Sequence, residues 1–273
     1  MKNRESQVMD LLIGGIYIKI KSNNSYFLRK TADEFKSFVL ENKTSDYFLI
    51  EVIDDYIPKE IDAISVKRKD SVFKAQADEF IASIDLGKKI AKVHVADLAG
   101  VFNCFLRVFY SIVLLDNNGF LVHAAGLSFQ GKGYVFSGAS ESGKTTTARM
   151  AQDCKVFSDE LVLIRQINKH NFIYSTPFHG EFEGDILSDC VDLEALAFLS
   201  KDIPRGYKRL SKIEIFTSLM VNIFFFSWDD ESNQKLINLV SCIGESQSGY
   251  KVDLFNYDIR RVINGISKNN NSQ

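Results

Sequence analysis

The sequence predicts an α/β protein in which a smaller mixed α+β domain precedes a larger domain. Strand-like runs and amphipathic helices alternate through the larger part, and one strand there leads through a glycine-rich loop into a helix. The 273 residues are 45% hydrophobic and 25% charged, which is typical of a globular protein with a packed core. We therefore expect an N-terminal domain over residues 1–95, a second domain over 96–267 and a disordered polar tail over 268–273.

The N-terminal domain is predicted to combine strands with a helix. Isoleucines at 16, 18 and 20 alternate with Tyr17 and Lys19, which is the period of a half-buried strand. Thr31 and Glu34 have the spacing of a capping box, so a helix is expected to begin there. Further strands are predicted at 47–52 and 63–66. The basic triplet 67–69 that follows is expected to be a solvated turn, and a binding patch is the alternative.

The larger domain is predicted to open with a long helix from Asp97. Its apolar stripe recurs at steps of three and four residues: Leu98, Val101, Phe102, Phe105, Phe109 and Ile112. Beyond a stop at 117–119, strands are predicted at 120–130 and 134–137, a short helix from Thr145 and a strand pair within 156–164. The remainder is expected to be mainly helical, with a capping box of Ser211 and Glu214 opening a helix that runs to Phe224.

The charge balance excludes several classes of function. With 33 basic against 35 acidic residues, the formal net charge is −2 and the pI about 6.1, so we expect neither a nucleic-acid partner nor a membrane partner. The four cysteines form no CxxC pair, which argues against a zinc ribbon or thioredoxin-like motif. The N-terminal residues resemble a signal peptide only superficially, and the apolar run 215–228 is too short to span a bilayer. A cytoplasmic protein is expected.

The strongest motif is G-x-x-x-x-G-K-[ST], with a predicted strand before it and a helix after it. Glycines allow backbone N–H groups to surround phosphate oxygens, a lysine reaches the β and γ phosphates, and a hydroxyl binds Mg²⁺. The predicted nucleotide-binding residues are Gly138, Ala139, Ser140, Glu141, Ser142, Gly143, Lys144, Thr145 and Thr146. The alternatives are a chance glycine-rich turn, and a loop that binds nucleotide without catalysis.

An acidic pair and a histidine are further candidates. Asp159 and Glu160 end a short predicted strand soon after the loop, where carboxylates can hold Mg²⁺ or accept the proton of an attacking hydroxyl. An exposed acidic turn is the alternative. His123 lies on the strand that precedes the loop strand, and such a histidine is also compatible with a core position. Arg205, with its basic neighbours Lys208 and Arg209, is a candidate transition-state cation or part of a solvated surface.

The order of His123, the loop 138–145 and the pair Asp159-Glu160 resembles the catalytic domain of HPr kinase/phosphorylase and related HPr kinase-like P-loop proteins. That domain is similar in site architecture to ATP-dependent phosphoenolpyruvate carboxykinases. The segments that carry the resemblance are LVHAAGLSFQGKGYVFSGASESGKTTTA and KVFSDELVLI. The resemblance spans about residues 97–265 and is specific over 120–165. It implies a P-loop kinase-like fold for the larger domain.

The resemblance also implies roles for the site residues. Lys144 and Thr145 would handle the phosphates and Mg²⁺, Asp159 would lie near the base position, and His123 would support the reacting centre. The family has two adjacent aspartates where this chain has Asp159 and Glu160, so which is the base and which the metal ligand stays open. The family usually has a small residue at the position of Glu141, and neither its N-terminal domain nor its dephosphorylation signature is recognisable here.

The expected function is therefore an ATP- and Mg²⁺-dependent kinase that transfers the γ-phosphoryl group to a serine hydroxyl of a small protein or a ribosomally made peptide. The segment 176–181 is either a loop near this acceptor, as in similar proteins, or a plain surface loop. The N-terminal domain could recognise the acceptor by adding a strand to its sheet edge. Alternatives are a nucleotide-binding accessory protein that recruits a peptide or partner without transferring phosphate, and a kinase of a small metabolite such as free serine. The sequence leaves the oligomeric state open, and a homo-oligomer is compatible with it.

Overall fold

The computed structural model describes residues 7–41, 45–96, 100–151, 153–203, 206–226, 229–254 and 259–270. These residues form two compact units. The first runs to Val113 and includes Phe225–Asn233, and the second comprises Leu114–Phe224 together with the part of the chain from Gln234 onward. The domain bounds expected from the sequence, 1–95 and 96–267, stay a prediction. None of the described helices is both long and apolar enough to cross a membrane.

An eight-stranded mixed sheet forms most of the first unit. Its strands are β1 (Gln7–Ile13), β2 (Ile16–Ser22), β3 (Val39–Leu40), β4 (Phe48–Asp54), β5 (Ser65–Lys69), β6 (Val72–Ala77), β7 (Phe80–Asp85) and β8 (Ile90–Val95). Their order across the sheet is β3-β1-β2-β4-β8-β7-β6-β5. The strands β2, β4 and β8 are parallel, whereas β5 to β8 form an antiparallel meander.

Two helices belong largely to this unit, α1 (Ser25–Glu34) and α2 (Gly100–Asp116). The predicted aromatic stripe of α2 is confirmed, because its rings are buried against the sheet. Phe105 meets Phe80 edge-on at 5.8 Å, and Phe109 meets Phe48 at 5.5 Å. Burial alternates along the strands, so one sheet face forms this core and the other carries the exposed side chains. The predicted helix start at Asp97 lies outside the described residues.

Two local predictions for this unit are wrong. Helix α1 ends at Glu34 instead of beginning near Thr31, because Asn24 accepts a hydrogen bond from the Phe27 N–H and caps the helix seven residues earlier. Thr31 is buried inside the helix. The basic triplet 67–69 is part of strand β5 and not a turn, since it pairs with β6 along its whole length.

The second unit is built on another mixed sheet. Its strands are β9 (Gly119–Phe129), β10 (Lys132–Ser137), β11 (Lys155–Ser158), β12 (Leu161–Ile167), β13 (His170–Tyr174), β14 (Cys190–Leu199), β15 (Gly206–Arg209), β16 (Ile223–Phe224) and β17 (Ser248–Asp253). The main order is β10-β9-β12-β13-β14-β17-β15, and β10 also pairs with β14. Since β14 runs parallel to both β10 and β17, these three strands end at the same edge of the sheet.

Four more helices follow: α3 (Lys144–Met150), α4 (Lys212–Met220), α5 (Asp230–Ser246) and α6 (Ile259–Asn270). The capping box of Ser211 and Glu214 at the start of α4 is confirmed. The helix stops at Met220, however, and does not run to Phe224, because Ile223 and Phe224 pair with β9 as strand β16. The apolar residues of α6 pack in the same core as the buried part of α3.

The expectation of a mainly helical C-terminal part is wrong for 190–199, which forms the ten-residue strand β14. The expectation of a disordered tail also differs from the structure, because Lys268 to Asn270 complete helix α6. The Asn270 side chain accepts a hydrogen bond from the Tyr250 hydroxyl and donates to Glu194, which holds the helix end on the sheet. Residues 271–273 lie outside the described part of the chain.

Candidate functional site

The glycine-rich loop, residues 138–143, connects the end of β10 to the first residue of α3. Its backbone takes left-handed values at Glu141 (φ 61°) and Gly143 (φ 102°). A Cβ on Gly138 would lie 2.8 Å from Ser142 Oγ and 3.1 Å from the Leu199 carbonyl oxygen, so a side chain there would force the loop to shift. The strand, loop and helix expected around the motif are therefore present in the structure.

Lys144 lies across this loop. Its Nζ donates hydrogen bonds to the carbonyl oxygens of Gly138 (3.0 Å) and Ala139 (2.9 Å). Burial lowers the pKa of this amine. The ammonium is thus partly removed from water, and its partners among the described residues are neutral carbonyl groups, so an anion arriving at the loop would gain a charged partner.

Asp159 is nearly fully buried, with 2% of its surface exposed. Its Oδ1 accepts a hydrogen bond from the Gly180 N–H at 2.7 Å. Its Oδ2 is buried and has no hydrogen-bond partner among the described residues. Leaving a buried carboxylate oxygen unpaired costs about 1–3 kcal/mol or more. Such an oxygen is suited to meet a cation or a hydrogen-bond donor.

The turn that carries Asp159 is held by its neighbours. Ser158 Oγ donates to the Phe178 carbonyl oxygen at 2.8 Å and accepts from the Glu160 and Leu161 N–H groups, both at 3.0 Å. Residues 159–160 separate β11 from β12, which pair in turn with the same strand, β9. The segment 176–181, a candidate acceptor loop in the sequence, therefore positions the carboxylate through Gly180. Sequence reasoning did not identify Ser158 and Gly180 as supporting residues.

His123 lies on β9, between the loop and the acidic turn. It is paired with Leu161 on one side, and its carbonyl oxygen accepts a hydrogen bond from Ser137 Oγ (2.7 Å) on the other. Its N–H donates to the Asn222 carbonyl oxygen, and its half-buried ring meets Phe224 edge-on at 6.0 Å. Adjacent strands are about 4.8 Å apart, so the end of β10 and the acidic turn lie about 10 Å from each other across β9.

The structure thus brings three of the predicted segments together around the middle of β9. Glu160 is also at this place, and its carbonyl oxygen accepts a hydrogen bond from the Ala124 N–H. Arg205 lies outside the described residues, so its predicted role is not located. Lys208 and Arg209 are exposed on strand β15 at the far edge of the sheet order.

Two cavities lie at the common edge where β10, β14 and β17 end, which is where open α/β sheets bind ligands. The first, about 230 Å³, is lined by loop residues Glu141 to Gly143 and by apolar side chains of Met150, Leu199 and Val252. The second, about 350 Å³, lies beside Gly138 and is lined by residues of α4 and of the segments that flank it, and by the ends of β14 and β17 with Ser200 and Lys251. Each is of the size that holds a small ligand or part of one.

The residues present fit Mg²⁺ only in company with phosphates. No group of three or more histidine, cysteine, aspartate or glutamate side chains that could hold a metal occurs among the described residues. Mg²⁺ commonly takes one or two carboxylates and completes its octahedral shell with substrate phosphates and water. The unpaired oxygen of Asp159, with Glu160 beside it and Thr145 at the loop, fits that partial set.

No protein-family profile and no curated protein sequence matches this chain. Among solved structures, the chain is similar to the Hpr(Ser) kinase/phosphatase from Coxiella burnetii, with 15% sequence identity over 44% of this chain and 93% of that one. The TM-score of this comparison is 0.28. A similarity at that value carries no argument on function, so the function has to be inferred from the residues of this chain.

Proposed function

We propose that this protein is an ATP-dependent kinase that transfers the γ-phosphoryl group to a serine hydroxyl of a small protein or peptide. The observation that carries the proposal is the buried Asp159 carboxylate with one unpaired oxygen, across β9 from a loop that presents the half-buried ammonium of Lys144. In the proposed reaction the phosphoryl group lies on the Lys144 side and the acceptor hydroxyl on the Asp159 side of this strand.

Each residue has a definite part in this proposal. Lys144 exchanges its bonds to the loop carbonyls for bonds to the β and γ phosphates, and the loop N–H groups surround the same oxygens. Mg²⁺, when bound with the nucleotide, neutralises charge that develops on the phosphates. Thr145 and Glu160 supply oxygen ligands, and His123 keeps the strand between the two groups in place.

Asp159 accepts the proton. The serine oxygen forms a bond to the γ-phosphorus as the bond from that phosphorus to the bridging oxygen breaks, and ADP leaves with the bonding electrons. The hydroxyl proton passes to the unpaired Oδ2, while the Gly180 N–H keeps Oδ1 in place. Transfer of this kind relies on positioning and charge stabilisation and needs no covalent enzyme intermediate.

The cavities suggest where the two substrates lie. The first cavity, with its apolar lining next to the loop, suits a nucleobase. The second cavity opens beside Gly138 and offers Lys251, Glu214 and hydroxyl groups, which suits a polar acceptor segment or a small metabolite such as free serine. Free serine is therefore assayed beside peptide acceptors.

A specific observation favours one alternative. Glu141 is exposed in the middle of the loop and is one of the residues that line the first cavity. A negative charge close to bound phosphates weakens their binding, which is compatible with an accessory protein that binds nucleotide and recruits a partner without transferring phosphate.

Purified protein incubated with Mg-ATP and a panel of serine-containing peptides, small proteins and free serine tests these hypotheses by mass spectrometry. We expect one added phosphate on an acceptor with the wild type and none with Lys144→Ala or Asp159→Asn. Asp192→Asn, an exposed carboxylate on β14, is the matched control and should retain activity. Nucleotide binding without transfer to any acceptor would favour the accessory protein, and absence of nucleotide binding would refute both.

A further inference from the structure

A row of lysines crosses the exposed face of the eight-stranded sheet in the first unit. The strand register places Lys67 opposite Lys74, Lys74 opposite Ser83 and Ser83 opposite Lys92, across β5, β6, β7 and β8. All four side chains are exposed and lie on the face opposite the aromatic core. With strands about 4.8 Å apart, the row is about 14 Å long. We call these residues and Lys69 on β5 the lysine face.

The lysines of the lysine face lack ion-pair partners in the part of the chain that the structure describes. Among the described residues, none of Lys67, Lys69, Lys74 and Lys92 has an acidic partner within ion-pair distance. At the other end of the same face the lysines are paired, Lys19 with Asp10 at 3.0 Å and Lys21 with Glu51 at 2.9 Å. The strand register also places Glu51 beside Lys92, but its carboxylate is already bonded to Lys21.

The stability of the fold does not explain this row of lysines. Like charges directly opposite each other on adjacent strands destabilise a sheet, and Lys67 and Lys74 form such a pair. The whole chain has a formal charge of −2, so the concentration of positive charge here does not follow from composition. A negatively charged partner would relieve the repulsion.

The surface between the lysines shows what kind of partner fits. A shallow cavity of about 270 Å³ lies between Lys74 and Lys92, with Ser83, Ile81 and His94 in its lining. Ile81 is 39% exposed and Ile90 on the same face is 40% exposed. Apolar contact area beside a cation row suits a polypeptide with both acidic and apolar side chains better than a free phosphate or a nucleic acid backbone, which offer charge alone.

We propose that the lysine face docks an acidic, extended segment of a partner polypeptide. Carboxylates of the segment lie on Lys67, Lys74 and Lys92, and an apolar side chain covers Ile81. Side chains two residues apart in an extended segment point the same way at about 6.8 Å spacing, so alternate acidic residues can follow the row. The proposal does not require phosphoryl transfer, so it stands or falls separately from the kinase activity.

The test measures fluorescence anisotropy of a short labelled peptide that alternates glutamate with leucine and serine, using the full-length protein. The variant Lys74→Gln with Lys92→Gln should lose about tenfold in affinity, because two charge contacts are removed. The matched control, Lys19→Gln with Lys155→Gln, removes the same charge from two lysines that already have carboxylate partners, Asp10 and Asp189, and should change affinity by about twofold or less. Circular dichroism verifies that both variants are folded.

Further binding measurements identify the chemistry of the ligand. A peptide with glutamine in place of glutamate should bind at least about tenfold more weakly. Ile81→Ser should weaken binding of the leucine-containing peptide and leave unchanged the binding of a glutamate peptide in which serine replaces every leucine. Equal affinity for the two lysine variants, or for the glutamate and glutamine peptides, would overturn the proposal. Stronger binding of a single-stranded oligonucleotide of equal charge, lost in the Lys74 and Lys92 variant, would assign the face to nucleic acid and also overturn it.

Discussion

Replacement of Glu141 separates charge from backbone strain in the glycine-rich loop. Two variants are informative: Glu141→Gln removes the carboxylate but keeps the side-chain size, and Glu141→Gly removes both. The backbone at this residue has φ 61°, where a non-glycine residue costs about 1–2 kcal/mol. Glycine also has greater conformational freedom in the unfolded chain, which lowers the free energy of unfolding by about 0.5–1 kcal/mol and offsets part of this gain. Glu141→Gly should therefore raise the free energy of unfolding by about 0.5–1 kcal/mol, and Glu141→Gln should leave it unchanged.

The effect on nucleotide binding follows from charge. At a separation of roughly 8 Å and an effective dielectric constant of about 40, one unit charge repels another by about 1 kcal/mol, which physiological salt reduces to about 0.4 kcal/mol. The several negative charges of a triphosphate bring the sum to about 1 kcal/mol. Both variants should therefore bind Mg-ATP about fivefold more tightly than the wild type, and the gain should shrink at high salt.

Isothermal titration calorimetry at low and high salt, with urea denaturation in parallel, measures both quantities. Tighter binding by Glu141→Gly alone would show that loop conformation limits affinity. Weaker binding by Glu141→Gln would show that the carboxylate assists Mg²⁺. Either result would refute the repulsion argument.

Three further substitutions probe the site and the scaffold. Asp159→Asn should raise the free energy of unfolding by about 1 kcal/mol in urea denaturation while abolishing transfer, because it removes a buried charge whose Oδ2 is unpaired; a less stable variant would instead indicate a structural role. Ser211→Ala removes the side-chain acceptor for the Glu214 N–H and should cost about 1 kcal/mol, seen as a fall in Tm of about 2–4 °C; an unchanged Tm would contradict the importance of the cap. Burial raises the pKa of the Cys154 thiol to about 11 from 9.0. The unfolded chain therefore loses this proton first, so stability should fall between about pH 9 and 11. Cys154→Ser should reduce that slope in urea denaturation across this pH range, and an unchanged slope would contradict the assignment.

The elements that the sequence predicted well are those whose causes are local. The stripe of α2 and the capping box at Ser211 follow from residues three or four positions apart. Strand β14 was missed because its run of alanine and leucine is also a good helix former, and only pairing with β10, β13 and β17 makes it a strand. The N-cap at Asn24 was missed because Thr31 and Glu34 offered a competing local pattern.

By itself, the sequence determined the chemistry that this protein can offer. The chain alone fixes the spacing of glycines and lysine in 138–145 and the adjacency of Asp159 and Glu160. It also determines the strand and the helix that flank the loop, because short-range sterics and hydrogen bonds decide these elements. Tertiary structure alone decided that these segments meet on β9, that Gly180 binds one oxygen of Asp159 and leaves the other unpaired, and that lysines from three strands stand in one row. These features depend on register between segments distant in sequence, and that register is set by the burial of whole sheet faces and not by any local pattern.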